Sequence, residues 1–375
     1  MRFRHPDGSV VHLAYCSNVH PAEDVDGLAR QLDRYAAPIR DSLGAPRLGV
    51  GLWLPAAAAA ALAADPAALR RLRRRLDSHH LEVVTLNAFP YKGFHDPVVK
   101  GAVYHPDWTD PARAAYTLDA AGVLAGLLPD DVEEGSISTL PLAWREPWDE
   151  TRSGDARRAL LAVAGGLAEL AAETGRYIRL ALEPEPGCVL ESSGQAAAFL
   201  SGLAPEWVGV CLDACHLAVG FEDPGEAAGR LAAARVAVHK AQVSRALRGD
   251  PATLAPFVEP RFLHQTRERA ASELVLGVDD LDEAFAGGLP GAGEWRSHFH
   301  VPVHHEPAVG DDLARFLAVL VGGDHPLTRH LEVETYTWSV LPGPPAGDAG
   351  LVAGLAAELA WTRHRLSALG LEEIA

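Results

Sequence analysis

Short apolar runs that end in polar residues alternate along the whole chain with longer Ala-, Leu- and Arg-rich stretches. Nine such runs read as strands, at 12–21, 47–55, 81–91, 135–144, 177–187, 208–217, 234–244, 294–305 and 330–338. The run LALEPEPG at 180–187 is typical: it is continuously apolar and then delivers two carboxylates, Glu183 and Glu185. Continuous apolar strands are those covered on both faces. The stretches between them, such as DPAALRRLRRRLDSHH and RRALLAVAGGLAELAAETG, repeat leucine at helical spacing. Leu69, Leu72 and Leu76 share one face, so the arginines of 70–75 fall on a solvated one.

Alternating strands and helices predict an α/β fold with a parallel sheet. Eight units close a (β/α)8 TIM barrel, whose site lies at the C-terminal strand ends. Nine candidates are one too many. The irregular spacing of 245–305 places the excess there, as an insertion between strands seven and eight, with RFLHQTRER and SELVLGVDDLDEAF forming a hairpin. Residues 1–12 predict an N-terminal hairpin at the barrel bottom, and 1–375 a single barrel domain. An open dinucleotide-binding sheet is the competing fold, weakened because no G-x-G-x-x-G follows the first strand.

The net charge of −17 argues against nucleic acid and anionic membrane surfaces as partners. The alanine run at 56–64 is too short to span a bilayer and reads as a helix start. The N-terminus has no apolar h-region and four cysteines are sparse, so a cytoplasmic protein without a disulfide scaffold is expected. Cys211 and Cys215 read as small buried fillers.

The two-residue period of the strands sorts the polar groups at their ends. Asn18 and His20 end the first strand, and Asn87 and Phe89 the third. Glu183 and Glu185 end the fifth, and Asp213, with His216 three residues on, ends the sixth. Lys240, Gln242 and Ser244 share a face of the seventh, with His239 on the other. HFHVPV sets His298 and His300 on one face, and the last strand sets Glu332, Glu334 and Tyr336 on one. Several carboxylates above one barrel mouth repel each other unless a cation lies among them. A divalent metal held by Glu183, Asp213, Glu334 and one imidazole answers that need, and Mn, Mg, Co or Zn suits the donors. His300 has the inward parity; His239 is the alternative, with His298 and His264 behind them. Paired Lys or Arg partners for each acid remain the other reading.

Glu183 in LALEPEPG, Asp213-x-x-His216 in CLDACH, an inward histidine and Glu334 in LEVETYT together resemble the metal pattern of the xylose isomerase-like TIM barrels. YCSNVHP, TLNAFPYKGFH, SISTLPLAW, HKAQVSRAL, SHFHVPVHH and LEVETYTW more narrowly resemble the EboE group of metabolite-traffic proteins. The resemblance implies a metal-dependent isomerase or epimerase acting on a small polyhydroxy carbonyl compound. Glu183 and Glu334 would be its acid/base pair and Lys240 its carbonyl-polarising group. It implies substrate contacts from Asn18, His20, Asn87, Phe89, Glu185, His216, Gln242, Arg245 and His298, with Trp53 and Trp338 in an apolar wall. Arg245, six residues after His239, matches an epimerase spacing and so speaks for His239 as the ligand. The EboE group further implies protein partners from the same gene cluster and, as an alternative, a non-catalytic carrier. Metal-dependent hydrolysis, as in endonuclease IV, is a third class that the acidic charge disfavours.

Overall fold

The computed structural model describes residues 1–305 and 311–374. A short β1 (Arg2–Arg4) leads into β2 (Val10–Cys16), the first barrel strand. β3 (Leu48–Trp53), β4 (Leu81–Asn87), β5 (Glu134–Thr139), β6 (Tyr177–Leu182), β7 (Val208–Asp213) and β8 (Val238–Val243) follow, each parallel to its predecessor. The chain then makes β9 (Ala246–Gly249), β10 (Thr266–Arg269), β11 (Val275–Val278) and β12 (Trp295–His300). It returns as β13 (His330–Val333), which pairs with both β8 and β2 and so closes an eight-stranded parallel barrel. β14 (Glu372–Ile374) ends the described chain antiparallel to β1.

β9 to β12 form a separate antiparallel sheet in the order β11-β10-β12-β9. The surplus apolar run of the sequence, 294–305, is therefore β12, outside the barrel. β1 pairs antiparallel with β2, so the second arm of the N-terminal hairpin is the first barrel strand itself. A boundary at residue 12 falls inside that strand. At the base, Arg2 Nε donates to Glu82 Oε2 at 2.9 Å, tying the hairpin to the start of β4.

Local chemistry accounts for the helices between strands. Asp65 caps the helix Pro66–Ser78 through the Ala67 N–H, with proline at its first position. That helix buries Leu72 and Leu76, while Arg70, Arg71, Arg74 and Arg75 are exposed. The alanine run is the helix Ala56–Ala64. No helix among the described residues is long and apolar enough to cross a membrane.

The barrel interior is unusually charged. Lys240 Nζ lies 3.0 Å from Glu332 Oε2, and neither side chain reaches solvent. The ammonium also donates to Leu86 O and Ser138 Oγ, both at 3.1 Å. Thr85 Oγ1 donates to the same carboxylate at 3.0 Å. Burial opposes the lysine charge, but Glu332 more than offsets it, and the pKa is held above its ordinary value. Room for the Glu332 carboxylate comes from Gly51: a Cβ there would lie 1.8 Å from Oε2. A second buried carboxylate, Glu358 on the C-terminal helix Gly347–Ala368, ties that helix to the barrel. It accepts from Val303 N at 3.0 Å, Thr335 Oγ1 at 2.6 Å and Trp338 Nε1 at 2.9 Å. Burial pushes its pKa up to about 7 despite those bonds.

Lys240→Met leaves Glu332 buried without its cation and is expected to cost about 3–5 kcal/mol in denaturant melts, with partial recovery when Glu332→Gln is added. Glu358 gives a pH signature. The unfolded chain ionises this group near its ordinary 4.5, the folded one near 7, so the unfolded state releases its proton first as pH rises. Stability is therefore expected to fall by about 3 kcal/mol between those pH values from this group, and Glu358→Gln should remove that component of the pH profile.

Candidate metal site

β6 ends at Leu182, and the backbone turns upward through Glu183-Pro184-Glu185. Glu183 N donates to Thr139 O at 3.0 Å and Glu185 N to Leu190 O at 3.1 Å, which fixes both carboxylates. The turn needs Gly187, whose φ of +88° brings the backbone against Trp144; a Cβ there would lie 2.3 Å from the indole. β7 ends at Asp213, which caps the helix Ala214–Val219 through the His216 N–H at 2.8 Å. The cap explains the D-x-x-H spacing, because it sets the carboxylate and the imidazole side by side, Oδ1 to Nε2 4.0 Å. β12, in contact with the helix Ala214–Val219, contributes His298 and His300.

Three imidazoles meet here, and their hydrogen bonds decide their tautomers. His216 Nδ1 lies 2.8 Å from Pro184 O, and His300 Nδ1 2.8 Å from Glu334 O. A carbonyl only accepts, so both Nδ1 atoms carry the proton. His298 Nδ1 faces Gln265 Oε1 at 2.8 Å. The orientation of that amide follows from its Nε2, which donates to Glu185 Oε1 at 3.1 Å and Pro186 O at 2.8 Å. Burial lowers the pKa of all three rings, that of His300 to about 4, so they are neutral at physiological pH. Each Nε2 then offers a lone pair, that of His298 also facing Tyr336 Oη at 3.4 Å. Those of His216 and His298 point at one another across 3.1 Å, which two acceptors do not do without a cation between them or beside them. His300 Nε2 has no hydrogen-bond partner among the described residues.

The carboxylates repeat the pattern. Asp213 Oδ1 is satisfied by His216 N and by Ser244 Oγ at 2.7 Å, while Oδ2 is buried without a partner, 4.0 Å from His300 Nε2. Glu183 Oε2 is likewise unpartnered. Burial pushes the Glu183 pKa well up, and Glu334 and Asp213 add repulsion. Burial and then Asp213 and Glu332 push Glu334 up to about 8. Asp213 stays below its ordinary value: burial opposes its charge, but His216, His300 and its hydrogen bonds outweigh that. Ligand atoms of His216, His298 and His300, of Asp213, Cys215 and His300, and of Glu183, Asp213 and His216 each lie within 4.8 Å of one another. The donor set fits a divalent ion, and the outward Nδ1–H···O bonds are the usual orienting contacts of metal-ligating histidines.

Beside the cluster lies a cavity lined on its polar side by Asn18, Asn87, Glu183, Glu185 and Glu334. Glu334 Oε1 accepts from Asn18 Nδ2 at 2.8 Å and Asn87 Nδ2 at 2.9 Å. Glu185 Oε1 accepts from Tyr104 Oη at 2.7 Å. Phe89, His216, His298 and His300 also line the cavity.

Other residues chosen from sequence lie elsewhere. Lys240 sits one layer below the mouth, committed to Glu332, and does not line the cavity. His239 lines a different cavity, at the base, with Arg179, Arg329 and His330, so the parity argument and not the Arg245 spacing describes its position. Arg245 pairs with Asp311 at 3.3 Å and lies over the Trp361 ring, outside the cavity. His20 is stacked on Tyr35 with ring centroids 3.9 Å apart, and its ring nitrogens have no partner. His264 is occupied on both sides, by His298 O and Glu259. Gln242 is paired in register with Asp213, and both its amide atoms are buried and unpartnered. Trp53 and Trp338 donate to Pro90 O and Glu358, behind the cavity wall. Gln265, Tyr104 and Lys100 were not legible as site residues. Gln265 lies in the insertion beside His264, and Tyr104 and Lys100 follow the PYKGFH loop in a 3-10 turn, Lys100–Tyr104.

The sequence profile of the xylose isomerase-like TIM barrel family matches residues 48–259, more than half of the chain. No curated protein matches. Among solved structures, a D-allulose 3-epimerase from Methylomonas sp. in complex with D-allulose is 15% identical, with a TM-score of 0.52 over 95% of this chain and 97% of that one. A xylose isomerase domain protein from Alicyclobacillus acidocaldarius is 16% identical, with a TM-score of 0.51 over 95% and 99%. A D-psicose 3-epimerase with D-tagatose from Clostridium cellulolyticum H10 is 14% identical, with a TM-score of 0.50 over 95% and 99%. At such identities these likenesses are of fold.

Selective 15N-histidine labelling tests the tautomers. In chelator-treated protein at neutral pH, long-range 1H–15N spectra are expected to show His216, His298 and His300 as neutral Nδ1–H forms; an Nε2–H form at any of them would remove that ring from the donor set.

Proposed function

The chain belongs to the xylose isomerase-like TIM barrel family, and on that premise we propose that it is a divalent-metal-dependent isomerase or epimerase of a small hydroxy-carbonyl compound. The observation that carries this reading is the convergence of three imidazole Nε2 atoms, that of His300 unpartnered among the described residues, with the unpartnered Asp213 Oδ2 and Glu183 Oε2 beside the polar wall of the cavity. His216, His298, His300 and Asp213 would hold the ion, with Glu183 as a further ligand. That set is richer in nitrogen than the Glu183, Asp213, His300 and Glu334 set expected from sequence, and it favours Zn, Co, Fe or Mn over Mg. When bound, the ion supplies Lewis-acid stabilisation of charge on adjacent hydroxyl and carbonyl oxygens.

The chain's own residues supply the rest. Glu183 and Glu334 both face the cavity and reach it from different strands. One accepts the proton from the carbon beside the carbonyl. The other returns a proton to the opposite face of that carbon, or to its neighbour. Asn18 and Asn87 hold Glu334 by Oε1 and so leave Oε2 for the substrate. Tyr104 and Gln265 hold Glu185 in place, and Gln265 holds His298. Lys240 is a structural cation in this scheme, and its role is to neutralise Glu332.

Deuterium wash-in tests the reading. Metal-loaded protein is incubated in D2O with hydroxyketones, and exchange of the carbon-bound proton beside the carbonyl is followed by NMR. Exchange is expected, with a fall of about 10²–10⁴ in Glu334→Gln at unchanged metal content. Ligand binding without exchange would contradict catalysis and favour a carrier on the same barrel.

A further inference from the structure

The far wall of the cavity is apolar. The segment after β4 contributes Phe89, Phe94, Val99 and Val103, and the insertion contributes Phe262 and Leu263. Val99 N and Lys100 N both donate to Arg261 O, at 2.7 and 2.9 Å, which pins the two segments together over the mouth. Phe94, Phe262 and Tyr336 pack ring against ring, with centroids 4.9 to 5.3 Å apart. The wall is therefore a fixed, preformed surface.

Polar groups on this side are already engaged. Tyr104 Oη is bonded to Glu185, and Tyr336 Oη lies 3.4 Å from His298 Nε2. Lys100 is the one lysine or arginine among the described lining residues, and its ammonium is ion-paired with Asp280. Asp280 in turn accepts from Leu281 N at 2.9 Å and His264 N at 3.2 Å, so the pair is built into the insertion. A free ketose carries a hydroxyl on every carbon other than the carbonyl. Those pressed against this wall would lose water and gain no partner, which is the kind of mismatch a binding site rejects. A sugar phosphate would additionally need a cation that Asp280 has already taken.

We propose that the molecule taken by this cavity is amphiphilic: a hydroxy-carbonyl head, bound over the imidazole–carboxylate cluster, bearing an aryl or branched-alkyl substituent that packs on the apolar wall. The proposal rests on the isomerase reading for the orientation of the head. It assigns the substrate class from the opposite wall, and it gives the insertion a function, since Phe262 and Leu263 come from it and Gln265, next to them, sets the His298 tautomer.

The test is calorimetric titration of the full-length, metal-loaded protein with three probes: hydroxyacetone, the same compound with a benzyl group in place of its methyl group, and D-fructose. The benzyl compound is expected to bind about tenfold or more tightly than hydroxyacetone, and D-fructose no better than hydroxyacetone. Phe262→Ala, and Val99→Thr as a change of polarity at constant shape, are expected to shrink the benzyl advantage over hydroxyacetone at unchanged metal content. D-fructose binding as tightly as the benzyl compound, or a benzyl advantage untouched by both variants, would overturn the proposal. Protein that takes up no metal would instead overturn the functional reading beneath it.

Discussion

The cost of burying carboxylates governs this barrel. Glu183, Asp213, Glu332 and Glu334 all lie inside it, out of solvent. Lys240 neutralises one of them, and the barrel makes space for that pair by using glycine at position 51. The remaining three stand at the mouth, raising one another's proton affinity where no counter-charge intervenes. A cation bound among them would turn that repulsion into attraction, and the Nε2 atoms of three histidines lie where they could hold it. The lower ion pair and the upper donor cluster are thus two answers to one electrostatic problem.

The insertion between β8 and β13 is what makes the upper cluster unlike a plain barrel mouth. β12 brings two of the three histidines, Gln265 before β10 orients one of them, and Phe262 and Leu263 line the cavity. Two of the histidines, the amide that orients one of them and part of the apolar wall come from one insertion that no barrel requires. The chemistry can be shared with the family, while the shape of what fits is this insertion's own.

The alternation of apolar strand and amphipathic helix was legible because both periods are local, and it gave the barrel, the site-bearing strand ends and the placement of the excess strand outside the barrel. Glu183, Asp213, His216, His298, His300 and Glu334 were legible because they sit where apolar runs turn polar. What parity could not resolve was height along the barrel axis. Lys240 and Glu332 share their faces with Gln242 and Glu334, but lie one layer lower and pair with each other. His20 and Arg245 end strands too, yet the backbone has already turned by then, and they face Tyr35 and Asp311. The candidacy of His216 and His298 as donors was hidden for another reason. They depend on which nitrogen carries the proton, and that is set by Pro184 O and Gln265, partners far away in sequence.

Elemental analysis of protein purified without chelator or affinity metal, before and after EDTA, bears most directly on this account. About one Zn, Co, Fe or Mn per chain is expected, with a lower melting temperature once it is removed. A chain that carries no metal, and that added Zn²⁺, Co²⁺ or Mn²⁺ does not stabilise, would mean that the carboxylates and imidazoles at the mouth are balanced by protons alone, and would contradict the central claim.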